Sequence, residues 1–256
     1  MRAGGEAPPL TSGRPAAFGL DWVTEPGFPA ARLLPDGRLF LDAYAALVAQ
    51  RAGDEGRDAT RLLRTMRTVA TLTAQAVPDQ RIWESADINK ATWKGYADLL
   101  ERVHLSAPTP AFESNRLKRL TSYPKQFVCD TALALALADV SAPQLKSDPT
   151  LAGRFFESFV VQQLRPQVDQ VRGALLHLRT GAGEHEVDAV IEIGGKHVGI
   201  EVKLATRPTT TDARQLEWLK SQLPERFLAG LIIHTGGDTY PLGDRIWAVS
   251  IDAVVT

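Results

Sequence analysis

The chain has 256 residues, 44% of them hydrophobic and 23% charged, and a formal net charge of −1. That is enough apolar material for a packed core, in one large or two small domains. It is too little charge to draw nucleic acid to the molecule as a whole, so any basic surface must be local. No apolar run approaches the length of a membrane span, and the opening MRAGGEAPPLTSGRP has no apolar stretch of the secretory kind. The single Cys129 excludes an internal disulfide and suits a reducing cytoplasm. One cysteine and five scattered histidines also argue against a structural zinc site.

Residues 1–26, rich in Gly, Pro and Ala, read as irregular. Residues 27–125 read as helical. FLDAYAALVAQRA is an amphipathic helix, and TRLLRTMRTVATLTAQ is a second one. A break near Pro78 precedes IWESADINKATWKGYADLLERV, in which Asn89 is placed to cap a helix from Lys90 to Val103. HLSAPTPAFESNRLKRLTSYPK can then form a short β-wing with a basic return, which makes this part a candidate winged helix. Between residues 89 and 125 there are seven basic residues against three acidic ones. Lys90, Lys94, Arg116, Lys118 and Arg119 are therefore the candidate contacts to DNA phosphates, with the second helix of the pair in the major groove. A plain helical bundle with a solvated basic face explains the same charges. Trp93 and Tyr96 are assigned to the core.

Residues 126–256 read as a mixed α/β unit. QFVCDTALALALADV is apolar at a period that suits strand or helix equally. GRFFESFVVQQL is a helix on which Glu157 shares a face with Val160, Val161 and Leu164, and a carboxylate on an inward face needs a partner. ALLHLRT is a strand. The stretch EVDAVIEIGGKHVGIEVK, residues 186–203, is a hairpin turning at Gly194-Gly195. DARQLEWLKSQL is a helix, and FLAGLIIHTG and RIWAVSIDAVV close the sheet, with one parallel crossover.

With the turn at the two glycines, cross-strand partners sum to 389. Val187, Ala189 and Ile191 then share an apolar face with Val198, Ile200 and Val202, while Asp188 stands opposite Glu201 and Glu186 opposite Lys203. Carboxylates facing each other across a strand pair repel, and a divalent ion such as Mg²⁺ or Mn²⁺ gives them a reason to be there. An exposed hairpin with alternating charges is the ordinary alternative.

The arrangement Asp188…Glu201-x-Lys203 across a hairpin resembles the PD-(D/E)XK nuclease core. The resemblance implies a restriction-endonuclease-like mixed-sheet domain in which Asp188 and Glu201 hold Mg²⁺ or Mn²⁺. It implies that Lys203 assists the attacking water and that Glu157, from the preceding helix, completes the set. Gln215 matches a position where some members carry a site glutamine. Arg179 and Glu186 are accessory candidates on neighbouring positions. Val187 stands where the proline of the motif would be.

A wider resemblance rests on GFP at 27–29, Asp-Ala-Tyr at 42–44, ATWKGYADLLERVHL, NRLKRLTSYPKQFVCDTALA, AGRFFESFVVQQL, LRTGAGEHEVDAVIE and GIEVKLATRP. From about residue 27 to 254 the chain is similar to the C-terminal region of prokaryotic AAA-type ATPases known as domain of unknown function 4143. That resemblance implies a winged helix followed by a nuclease-like domain. Family members usually carry an ATPase module ahead of it, but no G-x-x-x-x-G-K-[ST] loop occurs here. ATP hydrolysis is accordingly not expected of this chain alone, and an ATPase is a candidate partner. Two function classes are open: a metal-dependent DNA nuclease or nuclease-like effector, and a nucleic-acid-binding or interaction module without turnover.

Overall fold

A computed structural model describes residues 19–54, 56–112, 123–181 and 183–255. Within the stretch read as irregular, residues 21–24 form a helical turn, α1 (Asp21–Thr24), and α2 (Pro29–Leu33) follows with Pro29 at its first position. α3 (Gly37–Asp54) and α4 (Ala59–Thr71) are the two amphipathic helices. Asp58 caps α4 by accepting from the Arg61 amide. α4 stops at Thr71, short of the predicted run. The chain turns at Ala74, whose φ is 57°, and enters β1 (Gln75–Ala76). α5 (Asp79–Ser85) and α6 (Lys90–Arg102) form the predicted pair, and the Asn89 side chain accepts from the Thr92 amide at 2.8 Å. Trp93 and Tyr96 are buried as expected.

β2 (Lys125–Gln126) pairs antiparallel with β1 on one side, and residues 106–109 bridge residues 125–128 on the other. The ambiguous apolar segment is resolved by Asp130, whose carboxylate caps the Leu133 amide and starts α7 (Thr131–Leu137). α8 (Ala142–Ser147) begins in a capping box made by Ser141 and Gln144. Asp148 then caps Thr150 and Leu151, with Pro149 at the first position, to open α9 (Pro149–Gln170).

Six strands make a mixed sheet in the order β3-β4-β5-β6-β8-β7: β3 (Ala174–Arg179), β4 (Glu186–Ile193), β5 (Lys196–Lys203), β6 (Phe227–His234), β7 (Tyr240–Gly243) and β8 (Ile246–Ser250). α10 (Arg214–Gln222) connects β5 to β6, which run parallel. β6 and β8 are also parallel, so there are two parallel pairs where one crossover was expected. β7 had no strand signature, since YPLG carries a proline and a glycine. It lies at the sheet edge against β8, where a missing N–H is tolerated. α9 packs across β3, β4 and β5, and α10 packs on β4, β5 and β6. Leu216 and Leu219 of α10 approach Gly199 so closely that a Cβ there would lie 2.8 and 2.9 Å from them.

The β4–β5 ladder runs from Ala189↔Ile200 to Ile193↔Lys196, the predicted register, around a turn in which Gly194 and Gly195 have φ of 57° and 73°. Side chains other than Gly, Asn or Asp resist such angles. Replacing both glycines by alanine is expected to cost about 2–4 kcal/mol of stability, at about 1–2 kcal/mol for each, and Gly194→Asn only a few tenths. Urea unfolding followed by circular dichroism would measure both.

One facet of the predicted pattern is corrected. Ala189 and Ile191 join Ile200 in the cluster built on α9, but Val187 joins Leu216 and Leu219 of α10. The cause is a β-bulge. Leu176 opposes Val190 whereas Leu178 opposes Val187, so Asp188 and Ala189 together face His177 alone. The larger apolar cluster includes residues from Val23 to Val254, joining Leu62 and Met66 of α4 to Phe155 and Phe156 of α9 and to Ala189 and Ile200 of the sheet.

Candidate functional site

The bulge releases β4 from β5 where the acidic residues begin. Asp188 is not a ladder partner of Glu201. Instead the Asp188 Oδ2 accepts from the Val202 amide at 2.9 Å, so the carboxylate itself continues the pairing. Glu186 does not stand opposite Lys203 either. It pairs with Arg179 across β3–β4, and its carboxylate lies 3.7 Å from the Arg179 Nε. Lys203 Nζ donates to Glu201 Oε2 at 2.9 Å. The Lys203 side chain is 37% exposed, while that of Glu201 is 5% exposed. Glu201 Oε1 is buried without a hydrogen-bond partner.

Glu157 projects from α9, with Val160, Val161 and Leu164 buried on the same face as expected. Its partner is a residue that the sequence pattern only counted among the seven basic residues of 89–125. Lys125 of β2 is buried, and its Nζ lies 2.7 Å from Glu157 Oε1, 3.4 Å from Glu186 Oε1 and 3.5 Å from Asp188 Oδ1. The backbone of Lys125 is held on both sides by Thr109, N–H to O at 2.9 Å and O to N–H at 2.8 Å. Arg165 of α9 donates to the Ala107 carbonyl and the Thr109 hydroxyl, which fastens this segment to the helix. Within the chain, the only signal for Lys125 was that Glu157 needed a partner.

Charge and burial set the protonation of the cluster. Burial pushes the Glu157 carboxyl up from 4.5 to about 8, against the opposing pull of Lys125. Burial, then the Asp188 charge, pushes Glu201 up to about 8, with Lys203 pulling the other way. For Lys125, burial disfavours the ammonium, but Glu157, Asp188 and Glu186 outweigh it and its pKa is raised. Lys203 follows the same balance with Glu201 as its chief partner. Beneath the bulge, burial lowers His177 to about 4, so it is neutral near pH 7, and one ring nitrogen meets the Tyr123 carbonyl at 2.8 Å.

The sign of the pH dependence follows. The folded state keeps protons on Glu157 and Glu201 that the unfolded state releases above 4.5, so stability from this pair is lost as pH rises from about 4.5 through about 8. The thermal midpoint in metal-free buffer is expected to fall across that window, and to fall less in Glu201→Gln. A midpoint that rises through the same window in wild type would contradict the burial of these acids.

The remaining candidates are dispersed. His185 Nδ1 and Gln215 Oε1 are 2.9 Å apart, and the His185 ring stacks on Trp218 at 4.1 Å. Lys90 and Lys94 are exposed on α6. They line a cavity of about 250 Å³ together with Asp79, Asp98 and Glu101, so acids interleave the basic pair. Arg116, Lys118 and Arg119 lie outside the described residues. The burial of Lys125 removes one charge from the basic surface expected of residues 89–125.

Asp188 and Glu201 could hold a divalent ion, with water and a substrate phosphate supplying the other oxygens that Mg²⁺ prefers. Among the described residues, no group of three or more His, Cys, Asp or Glu side chains is arranged to hold a metal ion. The fit therefore rests on two carboxylates, one of them with a buried oxygen lacking a donor.

Two family models match the chain. Residues 152–254 are similar to a domain of unknown function (DUF4143), and residues 38–144 to another domain of unknown function (DUF8612). The likeness expected from about residue 27 is thus divided, and its first half falls to a different model. No curated protein matches the chain. Among the described residues, no helix is long and apolar enough to cross a membrane.

Proposed function

We propose that the chain is a divalent-metal-dependent nuclease whose centre is Asp188, Glu201 and Lys203. The observation that carries this reading is Glu201. A buried carboxylate with an orphaned oxygen, beside a second carboxylate, is costly unless a cation completes it. When bound, Mg²⁺ or Mn²⁺ would supply Lewis acidity and a water of lowered pKa. Asp188 and Glu201 would hold it. Lys203, anchored through Glu201 and reaching solvent, would position the attacking water and stabilise charge developing on the phosphate. Arg179, partly exposed at the end of β3, would hold a neighbouring phosphate.

The helical part is assigned to nucleic-acid binding. Supporting this is the order helix, strand, helix pair and returning strands, with β2 between β1 and residues 106–109, as in winged helices. The ATPases of the resembled family suggest a partner chain that remodels the substrate.

The test is cleavage of single-stranded, duplex and branched DNA and of RNA with Mn²⁺ or Mg²⁺. Activity should vanish with chelator and in Asp188→Ala. The thermal midpoint should rise with Mn²⁺ in wild type and stay unchanged in Asp188→Ala and Glu201→Ala. A midpoint rise without cleavage of any substrate would favour the second reading, a binding module without turnover. One observation favours that reading: Lys125 already neutralises part of the acidic cluster.

A further inference from the structure

Resting on the metal-site reading above, we propose that Lys125 stands permanently where a second divalent ion would bridge Glu157 and Asp188, so that the site takes one ion and Glu157 is not a ligand. Two-metal phosphodiester centres hold their ions about 3.5–4 Å apart, with a carboxylate shared between them. The carboxylates for such a pair are all present in this chain: Glu157, Glu186, Asp188 and Glu201. An ammonium lies among the first three.

The geometry of that ammonium is built rather than incidental. Nζ has three N–H donors and three carboxylate neighbours, at 2.7, 3.4 and 3.5 Å. The Lys125 side chain is 1% exposed, so it has no room to swing into solvent and admit an ion. The backbone that carries it is paired in both directions with Thr109, which Arg165 in turn ties to α9.

The two oxygens of Asp188 therefore have separate roles. Oδ1 faces Lys125, and Oδ2 lies at the Val202 amide, between Glu201 and Lys203 along β5. Among the described residues, the carboxylate oxygen of the cluster that is buried without a donor belongs to Glu201, which is not one of the lysine's three partners. An ion attracted to that oxygen shares Asp188 with Lys125 and leaves Glu157 engaged. Lys125 is thus a positioning residue: it holds Asp188 and Glu157 without touching the reacting atoms. The consequence is one-ion chemistry, in which Lys203, not a second metal, assists at the phosphate.

Mn²⁺ titration followed by electron paramagnetic resonance tests this on the full chain. Wild type should bind one Mn²⁺, and Glu157→Gln should still bind one, weakened by no more than the roughly 10–100-fold that loss of a supporting residue costs. Lys125→Met should admit a second Mn²⁺, and Lys125→Met/Glu157→Gln should return to one. Two ions in wild type, or abolished Mn²⁺ binding in Glu157→Gln, would overturn the proposal. So would a single ion in a Lys125→Met variant shown to be folded by circular dichroism. The Glu157→Gln result decides the matter even if Lys125→Met does not fold. Wild type that binds no Mn²⁺ would instead overturn the metal-site reading itself.

Discussion

Above about pH 8, where Glu157 is ionised, replacing Lys125 by methionine is expected to cost about 3–5 kcal/mol of folding stability, because it leaves the buried carboxylate without its ion partner. That is a large share of the roughly 5–15 kcal/mol that holds a typical domain together. The methionine fills the apolar path of the lysine stem, so the loss is electrostatic rather than a cavity. Adding Glu157→Gln removes the stranded charge, and the double variant should recover at least about 1 kcal/mol. Urea unfolding of wild type, both single variants and the double variant closes the cycle. If Lys125→Met costs less than about 1 kcal/mol, the ammonium is not the internal partner of the cluster.

On the proposed nuclease reading, Lys203→Ala is expected to slow cleavage on the order of a hundredfold or more while leaving nucleic-acid affinity nearly unchanged. The separation depends on pH. Lys203 opposes the rise of the Glu201 pKa to about 8, so its removal drives Glu201 further up and weakens ion binding near neutrality. Measured at about pH 9, with the carboxylate ionised, Mn²⁺ affinity should approach that of wild type while the rate stays low. A Lys203→Ala enzyme restored to full rate by raising pH alone would reduce the lysine's role to keeping Glu201 charged.

What could be read from the chain without its fold was whatever depends on local periodicity. The Gly194-Gly195 turn, the Asn89 cap, the face of Glu157 and the α10 helix each follow from a few consecutive residues. The hairpin register held from Ala189 to Ile193 and failed one residue earlier. The bulge that ends it lies in β4 where it pairs with β3, a third strand that a two-strand pattern does not include. Lys125 was misjudged for a related reason. Among Lys118, Arg119 and Lys125, it looks like another solvated charge, and only the return of β2 beside α9 shows that it is buried. β7 was missed because its proline is an edge-strand feature that reads locally as a turn. Interleaving Asp79, Asp98 and Glu101 with Lys90 and Lys94 is likewise a property of the assembled surface.

The two stretches with separate family likenesses share one apolar core and several polar contacts, Lys125 among them. Lys125 belongs to the stretch from 38 to 144, while the acids it serves lie in the stretch from 152 to 254. Exchanging either stretch alone would break this ion pair. A descendant that joined the second stretch to a different leading sequence would inherit an acidic cavity with no internal counter-charge. It would have to change Glu157, recruit a cation from its new neighbour or bind an additional metal. The lysine thus makes the charge balance of the second stretch depend on a residue of the first.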